Sequence, residues 1–371
     1  MPFAMTDLVG CEFPLFAFSH CRDVVAAVSR AGGFGVLGAT GFSPDQLEAE
    51  LRWIDAHVGG GSYGVDVLIP EHQLAETGGG IDALMDLVPA AHRDFVQTLL
   101  SEAGIAFRAG DLRLASKPGT SLGEQQLEVA LRHPIRLMAN ALGIAPPAMI
   151  EMGKAHGVPV AALVGAREHA VRQVEAGVDI IVAQGGEAGG HCGEVSTLVV
   201  VEEVLRAVRK VRDVPVLAAG GIMTGGQMAG LMAMGAAGVW TGSVWLACPE
   251  SEVSDAFRDK LVAASSRDTV RSRHRTGKFS RQLRSAWHDA WEQSGAPPAL
   301  PMPLMTAVSE PALAIIERAA DQGHAQARSL LTYWVGQGVG LIESRRSATQ
   351  VVQTFKSEFA EAVELLITNL D

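Results

Sequence analysis

Short, wholly apolar runs alternate with amphipathic stretches along most of the chain. Phe13 to Phe18 (FPLFAF) leads into CRDVVAAVSRAGG, Gly33 to Ala39 (GFGVLGA) into SPDQLEAELRWIDAHV, and Ser62 to Ile69 (SYGVDVLI) reads as a third strand. The rhythm resumes with Ile135 to Ala141, Pro159 to Gly165, Asp179 to Gly185, Val214 to Gly221 and Ala237 to Ser243, separated by further helical patterns such as AREHAVRQVEAG. Strands apolar on both faces and joined by helices belong to a parallel sheet covered on both sides. Eight such repeats close more naturally into a (β/α)8 TIM barrel than spread as an open doubly wound sheet. In a barrel the loops after the strands gather at one mouth, where active sites lie.

Two stretches fall outside the repeat. Residues from about 71 to 133 form an insertion after strand three, with helical patterns and the polar tract ASKPGTSLGEQQ. An insertion on the mouth side could serve as a lid, or it could decorate the barrel or mediate assembly. Beyond Pro249 the pattern is helical, broken by the proline-rich SGAPPALPMP. The expected division is therefore a barrel over 1–248 carrying the insertion, and a small helical appendage over 249–371 packed beside the mouth.

Composition narrows the classes. Lys plus Arg number 30 against 41 Asp plus Glu, a net charge of −11, so no basic face invites nucleic acid or anionic lipid. No run approaches the ~20 apolar residues of a membrane span, and the start lacks a cationic segment ahead of an apolar one. The four cysteines, Cys11, Cys21, Cys192 and Cys248, show neither metal-ligand nor disulfide spacing. A cytoplasmic protein without a metal site is expected, acting on a small molecule and not on nucleic acid or membrane. Assembly into a homo-oligomer stays open.

Candidate chemistry sits at three strand ends. AQGGEAGGHCGE, Ala183 to Glu194, holds five glycines between Gly185 and Gly193 together with Gln184, Glu187 and His191. A loop this rich in glycine can lie flat against a planar ligand, and an imidazole beside it suits proton transfer near neutral pH. LAAGGIMTGGQ places Gly220 and Gly221 after strand seven; GVWTGS places Gly242 and Ser243 after strand eight. Loops at these two strand ends commonly bind phosphate through backbone amides and a helix N-terminus. Neither loop carries Lys or Arg, so amides and the Ser243 hydroxyl would have to suffice. His20, just after strand one, could touch substrate, and Asp66 should point into the mouth from strand three. A carboxylate there is costly unless solvated or paired. Gly33, Gly35 and Gly38 match G-x-G-x-x-G but straddle a strand, so the dinucleotide reading fails. No H-E-x-x-H, G-x-S-x-G or Walker loop is present.

These motifs resemble the nitronate monooxygenase (2-nitropropane dioxygenase) family of FMN barrels. AQGGEAGGHCGE is similar to its flavin-side signature, PVLAAGGI and GVWTGS to its phosphate signatures, and TGKFSRQLRSAW and VGQGVGLIE to its tail. The resemblance implies FMN as cofactor and His191 as catalytic base or proton donor. It further implies that Gln184, Gly189 and Gly190 contact the isoalloxazine and ribityl parts, and that Gly220, Gly221, Gly242 and Ser243 hold the phosphate. Ala17 and Phe18 would line the flavin from strand one. Two positions depart from the family pattern: Phe16-Ala17-Phe18-Ser19-His20 stands in place of A-P-M-A-G-like residues, and Asp66 in place of Asn. Both lie where flavin or substrate should be touched. Oxidation of alkyl nitronates with O2 is the leading expectation. Reduction of quinones or activated alkenes such as enoyl thioesters, with NAD(P)H as electron donor, is the alternative, and a non-enzymatic ligand-binding barrel the third.

Overall fold

The computed structural model describes residues 5–69, 81–112, 122–141 and 143–370. Eight parallel strands close into a barrel: β1 Leu15–Ser19, β2 Phe34–Gly38, β3 Tyr63–Val67, β4 Met138–Asn140, β5 Val160–Val164, β6 Ile180–Gln184, β8 Val216–Ala219 and β9 Gly238–Thr241. Pairing of β1 with β9, Ala17 opposite Thr241, completes the ring. The (β/α)8 expectation holds, with every strand inside its predicted run except β1, which extends one residue further, to Ser19.

Alternation along each strand separates two cores. Phe16, Phe34, Val36, Leu137, Ile180, Val182 and Trp240 fill the interior, while Leu15, Ala17, Val65, Val67 and Val239 face the helices. Phe16 and Phe34 rings lie 4.9 Å apart inside. The N-terminal helix Met5–Val9 joins this interior cluster through Met5 and Val9.

The helices form where local chemistry starts and stops them. Pro44–His57 begins at a Ser43/Gln46 capping box, and Pro147–His156 and Arg167–Ala176 end on left-handed Gly157 and Gly177. The eighth helix of the ring is not the one following β9 in sequence. Ala348–Thr368 packs against the helices Gly225–Ala233 and Arg22–Arg30, burying Val351, Val352 and Phe355 in the barrel's outer core. Three such side chains contribute roughly 1.5–3 kcal/mol each, so this helix belongs to the barrel.

Residues 249–347 are thus an excursion between β9 and the helix that covers it. The region expected to be a helical appendage also contains strands β10 Thr269–Ser272 and β11 Ser280–Leu283. They form a three-stranded antiparallel sheet with β7, Gly190–His191, drawn out of the loop after β6. The insertion does not stand alone either. Its helix Ala90–Glu102 packs on Leu304–Asp321 in a second core that includes Val96, Leu100, Trp287, Met305 and Ile316. That core reaches the mouth through Met223 and Ala247. Residues 70–80 and 113–121, including part of the polar tract expected there, lie outside the described residues. No helix among the described residues is long and apolar enough to cross a membrane, and no group of three or more potential metal ligands occurs among them.

Candidate active site

Four segments meet at the mouth: the loops after β6, β8 and β9, and the tail segment 335–341. Gly220 and Gly221 both take positive φ, +112° and +69°. A Cβ on Gly220 would lie 2.7 Å from Thr197 Oγ1, and one on Gly221 would lie 2.9 Å from Glu187 Cβ. Only glycine fits this turn. Gln227 holds it open, accepting from the Met223 amide at 2.8 Å and donating to the Gly221 carbonyl at 3.2 Å. Nothing within 4 Å would meet a Cβ on Gly242, so this stretch faces open space.

The loops are tied to one another. The Glu187 carboxylate accepts from both the amide (2.6 Å) and the hydroxyl (2.7 Å) of Thr197 at the start of helix Thr197–Val208. The Thr197 hydroxyl also lies 2.9 Å from the Gly220 carbonyl, linking the β6 and β8 loops. The Gly336 amide donates to Ser243 Oγ at 2.8 Å, and the Gln337 amide donates to the Glu187 carbonyl at 2.8 Å. The tail therefore straps the β6 loop to the β9 loop. Its own close fit needs glycine, since a Cβ on Gly338 would come 2.6 Å from the Gly221 carbonyl. Ser243 spends a lone pair on Gly336 and keeps its hydroxyl hydrogen for a ligand.

One expected donor is already used. The helix Gly225–Ala233 follows β8, but the Gly225 amide donates to Glu358 from the last helix at 2.7 Å, and Thr224 caps Gln227. Two amides of that helix terminus, Gly225 and Gln227, are therefore engaged within the protein.

His191 projects from β7 at the protein surface, with its Nε2 side partly buried against Thr276. Its Nε2 lies 2.8 Å from Thr276 Oγ1, and that hydroxyl lies 3.3 Å from the Lys278 carbonyl. With the hydroxyl proton directed to that carbonyl, Nε2 donates and Nδ1 keeps the basic lone pair. Partial burial of the ring, then the cations Lys278 and Arg275, push its pKa below the usual imidazole value. The ring is a neutral base at pH 7. Arg281 on β11 fixes the other side of the loop, donating to the Gly186 carbonyl through Nε (2.9 Å) and Nη2 (2.8 Å). Gln184 donates to the His191 carbonyl at 3.2 Å, and Gly189 lies where a Cβ would strike the Val335–Gly336 backbone.

The remaining expected residues divide by face. Phe18 points inward beside Trp240 and meets His20 edge-on at 5.2 Å. His20 Nδ1 lies 2.9 Å from the Gly38 carbonyl, and burial lowers its pKa. Ala17 is fully buried with its side chain in the outer core, so it can offer the mouth only backbone. Asp66 alternates with outward-facing Val65 and Val67 and so turns into the barrel, 3% exposed, with neither carboxylate oxygen hydrogen-bonded. Burial raises its pKa to about 7.

A stability prediction follows for the unliganded protein. The folded state holds a proton on Asp66 that the unfolded chain releases near pH 4, so stability falls as pH rises from about 4 to 7 and levels off above. The loss amounts to up to about 4 kcal/mol. Urea unfolding across pH should show that slope in the wild type and its disappearance in Asp66→Asn; equal slopes would rule the burial account out.

Sequence reasoning passed over Thr276, Arg281 and the strap as site components. The first two lie in a segment noted only for its overall likeness, and only the β7–β11 pairing brings them to His191.

The residues suit a flat cofactor ending in a phosphate: a turn closed to every side chain, an open face at Gly242, a free Ser243 hydrogen, and a buried, unpartnered polar group at Asp66. Solved structures of other proteins share the fold over nearly the whole chain. Nitroalkane oxidase from Streptomyces ansochromogenes superposes with a TM-score of 0.78 at 26% identity, covering 98% of this chain and 99% of that one. FabK from Thermotoga maritima gives 0.71 at 26% identity over 98% of both chains. A Mycobacterium tuberculosis protein bearing a monooxygenase name is 51% identical over 97% of this chain and 96% of its own length. A Staphylococcus aureus protein bearing the name nitronate monooxygenase is 27% identical over 93% of this chain. Fold and mouth define a barrel oxidoreductase. The family model described as nitronate monooxygenase matches residues 4–358, and the chain belongs to that family.

Proposed function

We propose that the protein binds FMN at this mouth and oxidises alkyl nitronates with O2, His191 being the base that meets the substrate. The observation that carries this reading is the placement of His191: a neutral imidazole, steered by Thr276, on the loop that Glu187 and Thr197 tie to the Gly220–Gly221 turn. The loop amides and Ser243 would hold the phosphate, Gly189 and Gly190 would let the ring approach the backbone, and Phe18 would line the pocket from β1. Bound FMN would supply a two-electron acceptor that O2 can reoxidise. His191 Nδ1 takes the proton from a neutral nitroalkane and, once protonated, can donate it in a hydrogen bond to the nitronate oxygen, and Lys278 and Arg275 bias the site towards an anion. His20, beside Phe18, is placed to touch the substrate's remainder.

Anaerobic mixing of the FMN-loaded protein with propionate 3-nitronate, NADH and NADPH in separate cells tests the reading. Bleaching of the visible flavin band by the nitronate alone is the expected result. Bleaching by a nicotinamide and not by the nitronate would replace it with the reductase reading, and failure to bind FMN would remove both.

A further inference from the structure

Among the described residues, neither carboxylate oxygen of Asp66 has a hydrogen-bond partner. This residue is the last but one of β3, with its side chain inside the barrel, between Gly38 on β2 and Ala139 on β4 in register, and both oxygens are buried without a hydrogen bond. An ionised carboxylate in that position would have neither solvent nor cation. The elements packed around it offer none. β1 presents Phe18 and, just beyond, His20, whose Nδ1 is engaged with the Gly38 carbonyl and whose buried ring is neutral. β2 presents glycine and β4 presents alanine; Asn140 sits on the opposite parity, bonded to Ile69. β6 presents Gln184, and His191 beyond it is neutral. Burial alone acts on the Asp66 carboxyl.

We propose that Asp66 is a neutral carboxylic acid in the resting protein and donates its proton in a hydrogen bond to an acceptor atom of the flavin ring. The inference rests on FMN binding at this mouth. A protonated acid offers one donor and an acceptor, so it can do for the ring what an amide does while remaining able to lose its proton. That last property separates it from asparagine. Above the point where Asp66 ionises, the same position presents a buried anion with no donor, and the ring is repelled instead of held. FMN affinity in this protein therefore carries a proton switch, acting through a residue that need not touch substrate.

The test compares FMN dissociation constants of the wild type and Asp66→Asn between pH 6 and pH 9, by fluorescence quenching of added FMN on the apoprotein. Both proteins share the titration of the FMN phosphate, so their difference isolates Asp66. In the wild type the constant should weaken by about tenfold per pH unit above about pH 7, relative to the variant. Asp66→Asn should bind FMN with no such loss. A second readout needs no cofactor: the infrared carbonyl band of a protonated carboxyl should be present in the wild-type apoprotein at pH 6, absent at pH 9, and missing from Asp66→Asn. Parallel pH profiles, or no carboxyl band at pH 6, would overturn the proposal while leaving FMN binding intact. Failure of both proteins to bind FMN would overturn the functional reading with it.

Discussion

Gly221→Val should leave the protein colourless. Two costs combine at that position. Its φ of +69° is open to glycine but costs a β-branched residue about 1–2 kcal/mol, and the new Cβ would lie 2.9 Å from Glu187 Cβ. Relief comes only by moving the turn or by displacing Glu187, which then loses its two bonds to Thr197. Either movement withdraws a donor from the phosphate, and a hydrogen bond to a charged group contributes about 1.5–3 kcal/mol. Together these predict a weakening of FMN binding by roughly two to three orders of magnitude. The measurement is the dissociation constant of FMN, with thermal unfolding of the apoprotein as the control for folding. A variant that is yellow with wild-type affinity would remove the phosphate assignment from the β8 turn.

His191→Ala should do the reverse, keeping the colour and losing the reaction. The imidazole sits on an exposed strand and its removal opens no core, so cofactor retention should match the wild type. Turnover with a neutral nitroalkane should drop by about 10²–10⁴, the usual worth of a positioned base. A preformed nitronate needs no deprotonation and should lose less. The wild-type profile of kcat/KM should fall on the acid side, as His191 protonates below the ordinary imidazole pKa, and the variant should lack that limb. Thr276→Val should lie between the two, because it frees the ring without deleting it. Unchanged turnover in His191→Ala would take the histidine out of the chemistry.

How much of this was readable beforehand depends on how far apart in sequence the partners stand. The eight strands announced themselves because a strand buried on both faces is continuously apolar, and GFGVLGA or DIIVAQG needs no distant information to be seen. The glycine turns were visible for the same local reason. Residue-level geometry was less accessible. Ala17 and Phe18 are adjacent, yet alternation sends one to the helices and the other to the mouth, a distinction that becomes certain only once the register with β2 and β9 is known. The helix N-terminus after β8 was expected to be open to phosphate, but its Gly225 amide is taken by Glu358, 133 positions later. Thr276 and Arg281 reach the His191 loop through a two-residue strand, too short to leave a periodic signal in the sequence. The strands of the small sheet were missed because consecutive polar residues such as Ser280, Arg281 and Gln282 look like an exposed loop, although all three are buried in the structure.

The last helix of the ring has a consequence for how the protein comes into being. Strands β8 and β9 are finished by residue 241, but the helix that completes their cover begins at residue 348. A chain emerging from the ribosome therefore carries an unroofed seam, rich in valine and leucine, while more than a hundred further residues are made. Full cover of the barrel must wait until residues 348–368 have been made, which leaves a long aggregation-exposed interval. Expression at lower temperature or with added chaperone should raise its soluble yield more than it would for a barrel whose eighth helix follows its eighth strand directly.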